Sequence, residues 1–134
     1  TSTLLTLLPS TNQSSDTRTP RQRARAVSNA MDCMSENDED ILPMTRICDE
    51  TGVSLRCLQR GFKERFGLGP KSYYTRLRLN RVRSALHAGG PRGSVVDAAN
   101  AFGFWHMGQF ARDYRQLFGE LPSDTLVQRK RPLV

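Results

Sequence analysis

ICDETGVSLRCLQRGFKERFG, residues Ile47–Gly67, has a second version downstream: AANAFGFWHMGQFARDYRQLFG, residues Ala98–Gly119. Cys48 pairs with Ala99, Gly52 with Gly103 and Val53 with Phe104. The second copy then holds one extra residue. Beyond it Leu58 pairs with Phe110, Arg60 with Arg112, Phe62 with Tyr114, Phe66 with Phe118, Gly67 with Gly119 and Pro70 with Pro122. Each copy reads as a short helix, a turn containing glycine, and a second helix with apolar residues at the 3.6-residue period. That is the pattern of a helix-turn-helix, and a tandem bihelical reader is a device for touching DNA twice.

The stretches between and around the copies predict the remaining helices. A first helix is expected from about Arg21 to Met34, where Ala26, Val27, Ala30, Met31 and Met34 recur at spacings of three and four. Its basic start, Arg21-x-Arg23-x-Arg25, suits a helix N-terminus poorly and is expected to fray. The acidic stretch Ser35–Asp40 reads as a loop, and Pro43 suits the first turn of a second helix that ends before Gly52. Ser54 is the expected N-cap of helix three, with Leu55, Leu58, Phe62 and Phe66 as its buried stripe. Pro70 opens a long fourth helix to about Ala88, with Leu79, Val82 and Leu86 on one side, which reads as a rigid spacer. Ala88–Gly93 is a break, Ser94-x-x-Asp97 starts helix five, helix six spans about His106–Phe118, and Pro122 starts a short seventh. The expected fold is therefore all-α, with two helix-turn-helix units joined by a long central helix.

At these residues the chain resembles the C-terminal DNA-binding domain of the AraC/XylS family of bacterial transcription regulators. The resemblance covers roughly Ala26 to Leu126. It rests on Ile47-Cys48-x3-Gly52-Val53-Ser54-x3-Leu58-x-Arg60-x-Phe62, on Arg76-Leu77-Arg78-Leu79, and on Gly103-Phe104-x5-Phe110-x-Arg112 leading to Phe118-Gly119-x2-Pro122. It implies seven helices, double-stranded DNA as the partner, and RNA polymerase as a possible second partner. It also implies an upstream domain that senses an effector and dimerises. Thr1–Pro20 reads as the linker or flexible tail from such a domain, 21–128 as the DNA-binding domain, and 129–134 as a basic tail. The stretch from Trp105 through Arg129 resembles the ethanolamine-operon regulators within the family.

Charge agrees with a polyanionic partner. The 134 residues carry 20 Lys+Arg against 13 Asp+Glu, a net +7, with a sequence pI near 10.0. From Ser54 to Arg83 the basic residues are Arg56, Arg60, Lys63, Arg65, Lys71, Arg76, Arg78, Arg81 and Arg83, and the one acid is Glu64. From Asp32 to Glu50 the balance reverses, with Arg46 alone among acids. Two solvated helix faces would look the same in charge alone; the repeat argues for the groove. The competing reading is a non-specific polyanion or acidic-protein binding module.

Base reading needs long side chains with paired hydrogen bonds: Arg matches guanine O6 and N7, Gln matches adenine N6 and N7. Helix three offers Arg56, Gln59 and Arg60 for bases, positions that the resemblance also aligns with base contacts, and helix six offers Gln109 and Arg112. Ser54, Lys63, Arg65, His106 and Arg115 are the candidates for phosphate. Arg60 and its repeat partner Arg112 have an alternative role, clamping a carboxylate or a helix end within each reader. On helix six the expected outward side is His106, Met107, Gln109, Arg112 and Arg115. Gly108 stands where the family commonly has Ser, which removes a phosphate donor and lowers helix propensity. Trp105 reads as a packing lid over the turn rather than a platform for a base.

Other chemistry is not supported. Cys33, Cys48 and Cys57 lack zinc-ligand spacing, and His87 and His106 lie apart from them. No metal, cofactor or catalytic residue is expected. Cys48 is expected to be a small buried thiol in a reducing, cytoplasmic setting. An alkyl-transfer repair enzyme with a similar reader would need a reactive cysteine, and Cys33 sits among acids that raise a thiol pKa. No run reaches the roughly 18 apolar residues of a membrane helix, and Leu4–Leu8 is too short for a signal core.

Overall fold

A computed structural model of the chain describes residues 17–36, 41–90 and 93–130. The described residues form seven helices and no strand: α1 (Pro20–Glu36), α2 (Met44–Thr51), α3 (Leu55–Phe66), α4 (Pro70–His87), α5 (Val95–Ala101), α6 (Met107–Phe118) and α7 (Pro122–Lys130). Residues 17–36 and 42–73 form one compact unit; Ile41 and residues 74–130 form a second. The boundary falls inside α4, between Tyr73 and Tyr74. Most of the expected linker, part of the acidic loop, Pro91–Arg92 and the end of the basic tail lie outside the described residues.

Unit one is α1 laid against α3, with α2 beside both. Ala26, Val27, Ala30 and Met34 of α1 bury against Ile47, Leu58 and Phe62, and every one of these side chains is at most 4% exposed. Phe62, Phe66 and Tyr73 extend this core as a ring cluster, with Phe66 stacked on Tyr73 at 4.8 Å between centroids. A methyl group on Gly61 would come within 2.6 Å of Val27 Cγ2 and 3.2 Å of the Arg23 carbonyl oxygen. The absence of a side chain there is what lets α1 and α3 approach.

The start of α1 corrects the expected fraying. Thr19 and Gln22 form a capping box: the Gln22 N–H donates to Thr19 Oγ1 at 3.1 Å, and the Thr19 N–H donates to Gln22 Oε1 at 2.9 Å. Arg23, expected to be part of a loose basic end, is 4% exposed. Its guanidinium grips Glu64 of α3 in a two-point pair, Nε to Oε1 at 3.0 Å and Nη2 to Oε2 at 2.8 Å, and Nη1 donates to the Arg18 carbonyl. The acidic loop likewise starts later than expected, since Ser35 and Glu36 belong to α1.

Unit two has its own core, in which Leu79, Val82 and Leu86 of α4 meet Ala98 and Ala99 of α5, Phe110 and Tyr114 of α6, and Leu126 of α7. Tyr114 and Thr125 are both fully buried and polar, so their hydroxyls need partners. The Thr125 hydroxyl donates to the Glu120 carboxylate, which can only accept, so the Tyr114 hydroxyl donates to Thr125 Oγ1 at 2.7 Å. Part of the basic run is also used for packing. Arg78 lies over the Phe104 and Tyr74 rings at 4.6 and 5.3 Å, and Arg83 over Phe118 at 4.8 Å.

The two copies match in backbone as well as in residue type. The turn glycines Gly52 and Gly103 both sit at positive φ, 72° and 88°, a conformation that L side chains rarely adopt. Gly67 and Gly119 cap α3 and α6 in the same left-handed state, each donating its N–H four residues back. The match is not complete. Gly52 is itself the C-cap of α2, whereas α5 is capped by Phe102 and Gly103 follows it.

Candidate nucleic-acid interface

α3 begins at a side-chain cap. Ser54 Oγ accepts the Cys57 N–H at 3.1 Å, which leaves the hydroxyl hydrogen available to a phosphate oxygen. At about 100° per residue, Cys57, Leu58, Gly61 and Phe62 define one buried arc of the helix. Arg56, Gln59, Arg60 and Lys63 fall on the opposite arc, and all four are exposed. The helix therefore separates packing from presentation, as expected. Two details differ. Leu55, expected to be buried, lies at the edge of the buried arc and is 42% exposed. Cys57 replaces it in the core, and it is Cys57, not Cys48, that is fully buried; Cys48 is half-buried, and burial followed by the Asp49 charge raises its thiol pKa.

Arg60 has the partner that the alternative reading allowed. Its Nε lies 3.6 Å from Glu64 Oε2, one helical turn on, while Glu64 is held by Arg23. This is an exposed pair between neighbouring turns of one helix, so it holds Arg60 weakly. Arg65 is engaged by the fold: it lies 5.1 Å from the Phe66 ring centroid and donates to Ser28 Oγ at 3.3 Å.

α6 presents a different surface. His106 is its N-cap but makes no side-chain capping bond, and its imidazole is exposed. Phe110 and Tyr114 define the buried arc. Met107, expected on the outward side, packs against the core of unit two. Gln109, Arg112 and Arg115 are exposed as expected, and Gln116 shares their arc without having been expected there. The outward donors bind one another. Arg112 Nη2 donates to Gln109 Oε1 at 2.8 Å, and Gln109 Nε2 donates to Asp113 Oδ1 at 2.8 Å. Trp105 is not a lid: it is 69% exposed. Among the described residues no group of acids, histidines and cysteines is arranged to hold a metal ion, and no helix is long and apolar enough to cross a membrane.

These helices match known proteins. A family model described as a helix-turn-helix domain matches residues 47–128. The solved structure of a probable AraC family transcriptional regulator from Rhodopseudomonas palustris is 35% identical, with a TM-score of 0.73, and the match covers 81% of this chain and 99% of that one. The chain belongs to the AraC/XylS family of transcriptional regulators. An AraC-type DNA-binding protein from Chromobacterium violaceum gives a similar match, 35% identity and a TM-score of 0.72 over 81% of this chain and 96% of the other. Among curated relatives, a XylDLEGF operon transcriptional activator of Pseudomonas putida is 35% identical over 99 residues, 73% of this chain. The chain spans 31% of that activator's length. The family is one of helix-turn-helix DNA-binding regulators and not a class of enzyme.

Proposed function

We propose that this chain recognises a specific double-stranded DNA sequence by placing α3 and α6 into adjacent major-groove segments of one duplex. The observation that carries the reading is the outward face of α3, where Arg56, Gln59, Arg60 and Lys63 project opposite a fully buried arc. Arg56, Gln59 and Arg60 are the base readers of the first unit, Gln109 and Arg112 those of the second. Ser54, Lys63 and Arg65 contact phosphate from the first unit, His106 and Arg115 from the second. Phosphate contacts set register and base contacts set sequence. Residues 21–128 make up the DNA-binding domain. The complete regulator carries an effector-sensing domain upstream and communicates with RNA polymerase, in the cytoplasm of a bacterium.

Duplexes selected by the chain from a random pool test this reading. Two readers entering one duplex should protect segments about one helical turn, roughly 34 Å, apart on one face. Log affinity should fall with log salt by about 0.9 for each phosphate contacted. Protection of a single segment would remove α6 as a reader. Equal affinity for selected and unselected duplexes would favour the non-specific polyanion module instead.

A further inference from the structure

The second reading turn is one residue longer than the first, and the extra residue is Trp105. In the first turn Gly52 and Val53 lead directly to the Ser54 cap; in the second, Gly103 and Phe104 are followed by Trp105 before the His106 cap. Trp105 is the chain's one tryptophan. Leaving an indole 69% exposed forgoes most of the free energy that its burial would contribute. The core does not require it there, because Phe104 and Phe110 already fill the inner side of the turn, their rings 5.1 Å apart.

Trp105 stands at an open cleft of about 400 Å³ that it shares with Arg78, His106, Gln109 and Asp113. The wall contains a fixed cation. The Arg78 guanidinium lies 4.6 Å from the Phe104 ring centroid, and Nη1 donates to the Phe102 carbonyl oxygen at 3.3 Å. Its Nε is buried without a hydrogen-bond partner. The Asp113 carboxylate accepts from Gln109 Nε2 at 2.8 Å and keeps its negative charge, so an anion in the cleft is directed to the side of Arg78 and His106. An aromatic plate beside a cation and an imidazole suits a sugar–phosphate strand: an apolar sugar face next to a negative charge. It suits a base edge less well, because indole offers a single donor and no acceptor.

We propose that Trp105 is the clamp by which the second unit holds the DNA backbone, its indole lying on a deoxyribose at the groove edge and its Nε1–H donating to the adjoining phosphate. The proposal rests on the reading of α6 as a groove helix. It adds to the phosphate contacts assigned to His106 and Arg115 a further hold at the turn, where Gly108 has no donor and Gln109 and Arg112 are bound to each other. Contacts of this kind fix position without reading sequence.

One titration separates the two readings. The full chain is added to a selected duplex carrying a fluorescent label, and binding is followed by anisotropy. Trp105 emission is measured on the same samples with acrylamide, a neutral quencher indifferent to the basic surface. On saturation the quenching constant should fall by roughly half or more as the indole leaves water. W105A should bind about ten-fold more weakly, to selected and unrelated duplexes alike, with the salt slope unchanged. W105F, which keeps the ring and loses the N–H, should fall between. A bound duplex that leaves the indole as quenchable as before overturns the clamp and spares the DNA-binding reading. So does W105A binding like wild type, or altering preference at a single base pair only. No binding at any salt overturns both. The wild-type quenching needs no substitution, so a W105A chain that fails to fold does not shelter the proposal.

Discussion

α3 and α6 are copies of one design with the weight placed differently. On α3 the outward side chains of Gln59 and Lys63 stand clear of the packing arc, and the side chains that bind α1 are Glu64 and Arg65. On α6 the outward chains close on themselves, Arg112 to Gln109 to Asp113. The repeat position that holds Gly61 in α3 holds Asp113 in α6. In the first unit that position is cleared so that α1 can approach to within contact of the backbone. In the second it carries the carboxylate that accepts from Gln109. A duplicated motif can thus keep its core spacing while the outward faces of its two copies differ.

The comparison first requires that the two cores be equivalent. Phe62 and Tyr114 occupy the same place in the repeat and are both fully buried. Phe62→Ala and Tyr114→Ala should each cost about 3–5 kcal/mol in urea denaturation. A loss below about 1 kcal/mol for either would mean that its unit is not held together by the repeat core.

The next largest effects separate the readers. Gln59→Ala or Arg60→Ala should cost about 1–3 kcal/mol on a selected duplex and relax preference at one or two base pairs. Lys63→Ala should weaken all sequences about equally and lower the salt slope by roughly one. Gln109→Ala should matter less than Gln59→Ala, since Gln109 must first release Arg112 and Asp113. Specificity lost with Gln109→Ala and kept with Gln59→Ala would reverse the assignment of the dominant reader. Melting of each variant is the control, because Arg60 also approaches Glu64.

Tyr114→Phe is a smaller and sharper probe of what the second copy added. It removes the hydroxyl that donates to Thr125 and leaves Thr125 its bond to Glu120. The loss should be about 0.5–1.5 kcal/mol, the net worth of one hydrogen bond, read as a drop in melting temperature. No change would mean that the Tyr114 hydroxyl adds nothing to the Thr125–Glu120 pair and the packing of Leu126.

The seven helices were legible because each carries a local signal: caps at Ser54 and Ser94, left-handed glycines at 52, 67, 103 and 119, and apolar residues at the helical period. What was not legible depends on contacts distant in sequence. Arg23 looks like one of three arginines on a loose helix start until α3 places Glu64 against it, 41 residues away. A signal was present, since Thr19-x-x-Gln22 is a capping box and Glu64 is the one acid in a basic stretch. Leu55 and Met107 exchanged expected faces because each lies in a first turn, where a shift of part of a turn in the buried arc moves a side chain across its edge. Trp105 defeated the general preference of indole for burial because the turn that holds it is already filled by Phe104.

The Arg23–Glu64 pair makes a pH prediction that again divides the units. Hydrogen bonds from Arg23 hold the Glu64 carboxyl below its ordinary range; desolvation opposes them, and the charges of Arg23 and then Arg60 each add a smaller lowering. A folded-state pKa below the unfolded one contributes stability above the unfolded value, about 4.3 for glutamate, and loses it as pH falls through the folded value. Glu64→Gln should therefore lower the melting temperature at pH 7, and the gap from wild type should close as pH drops below about 4. Glu120 in unit two is also held low, first by the Thr125 hydroxyl, which desolvation opposes, and then by Gln128 and the charges of Arg83 and His87. Its closest donors are neutral, whereas Glu64 receives a guanidinium, and charge-assisted bonds are the stronger kind. Glu120→Gln should then show the same closing gap at a smaller size. A gap for Glu64→Gln that stays constant or widens on acidification would show that the side chain stabilises α3 by packing and not through its charge.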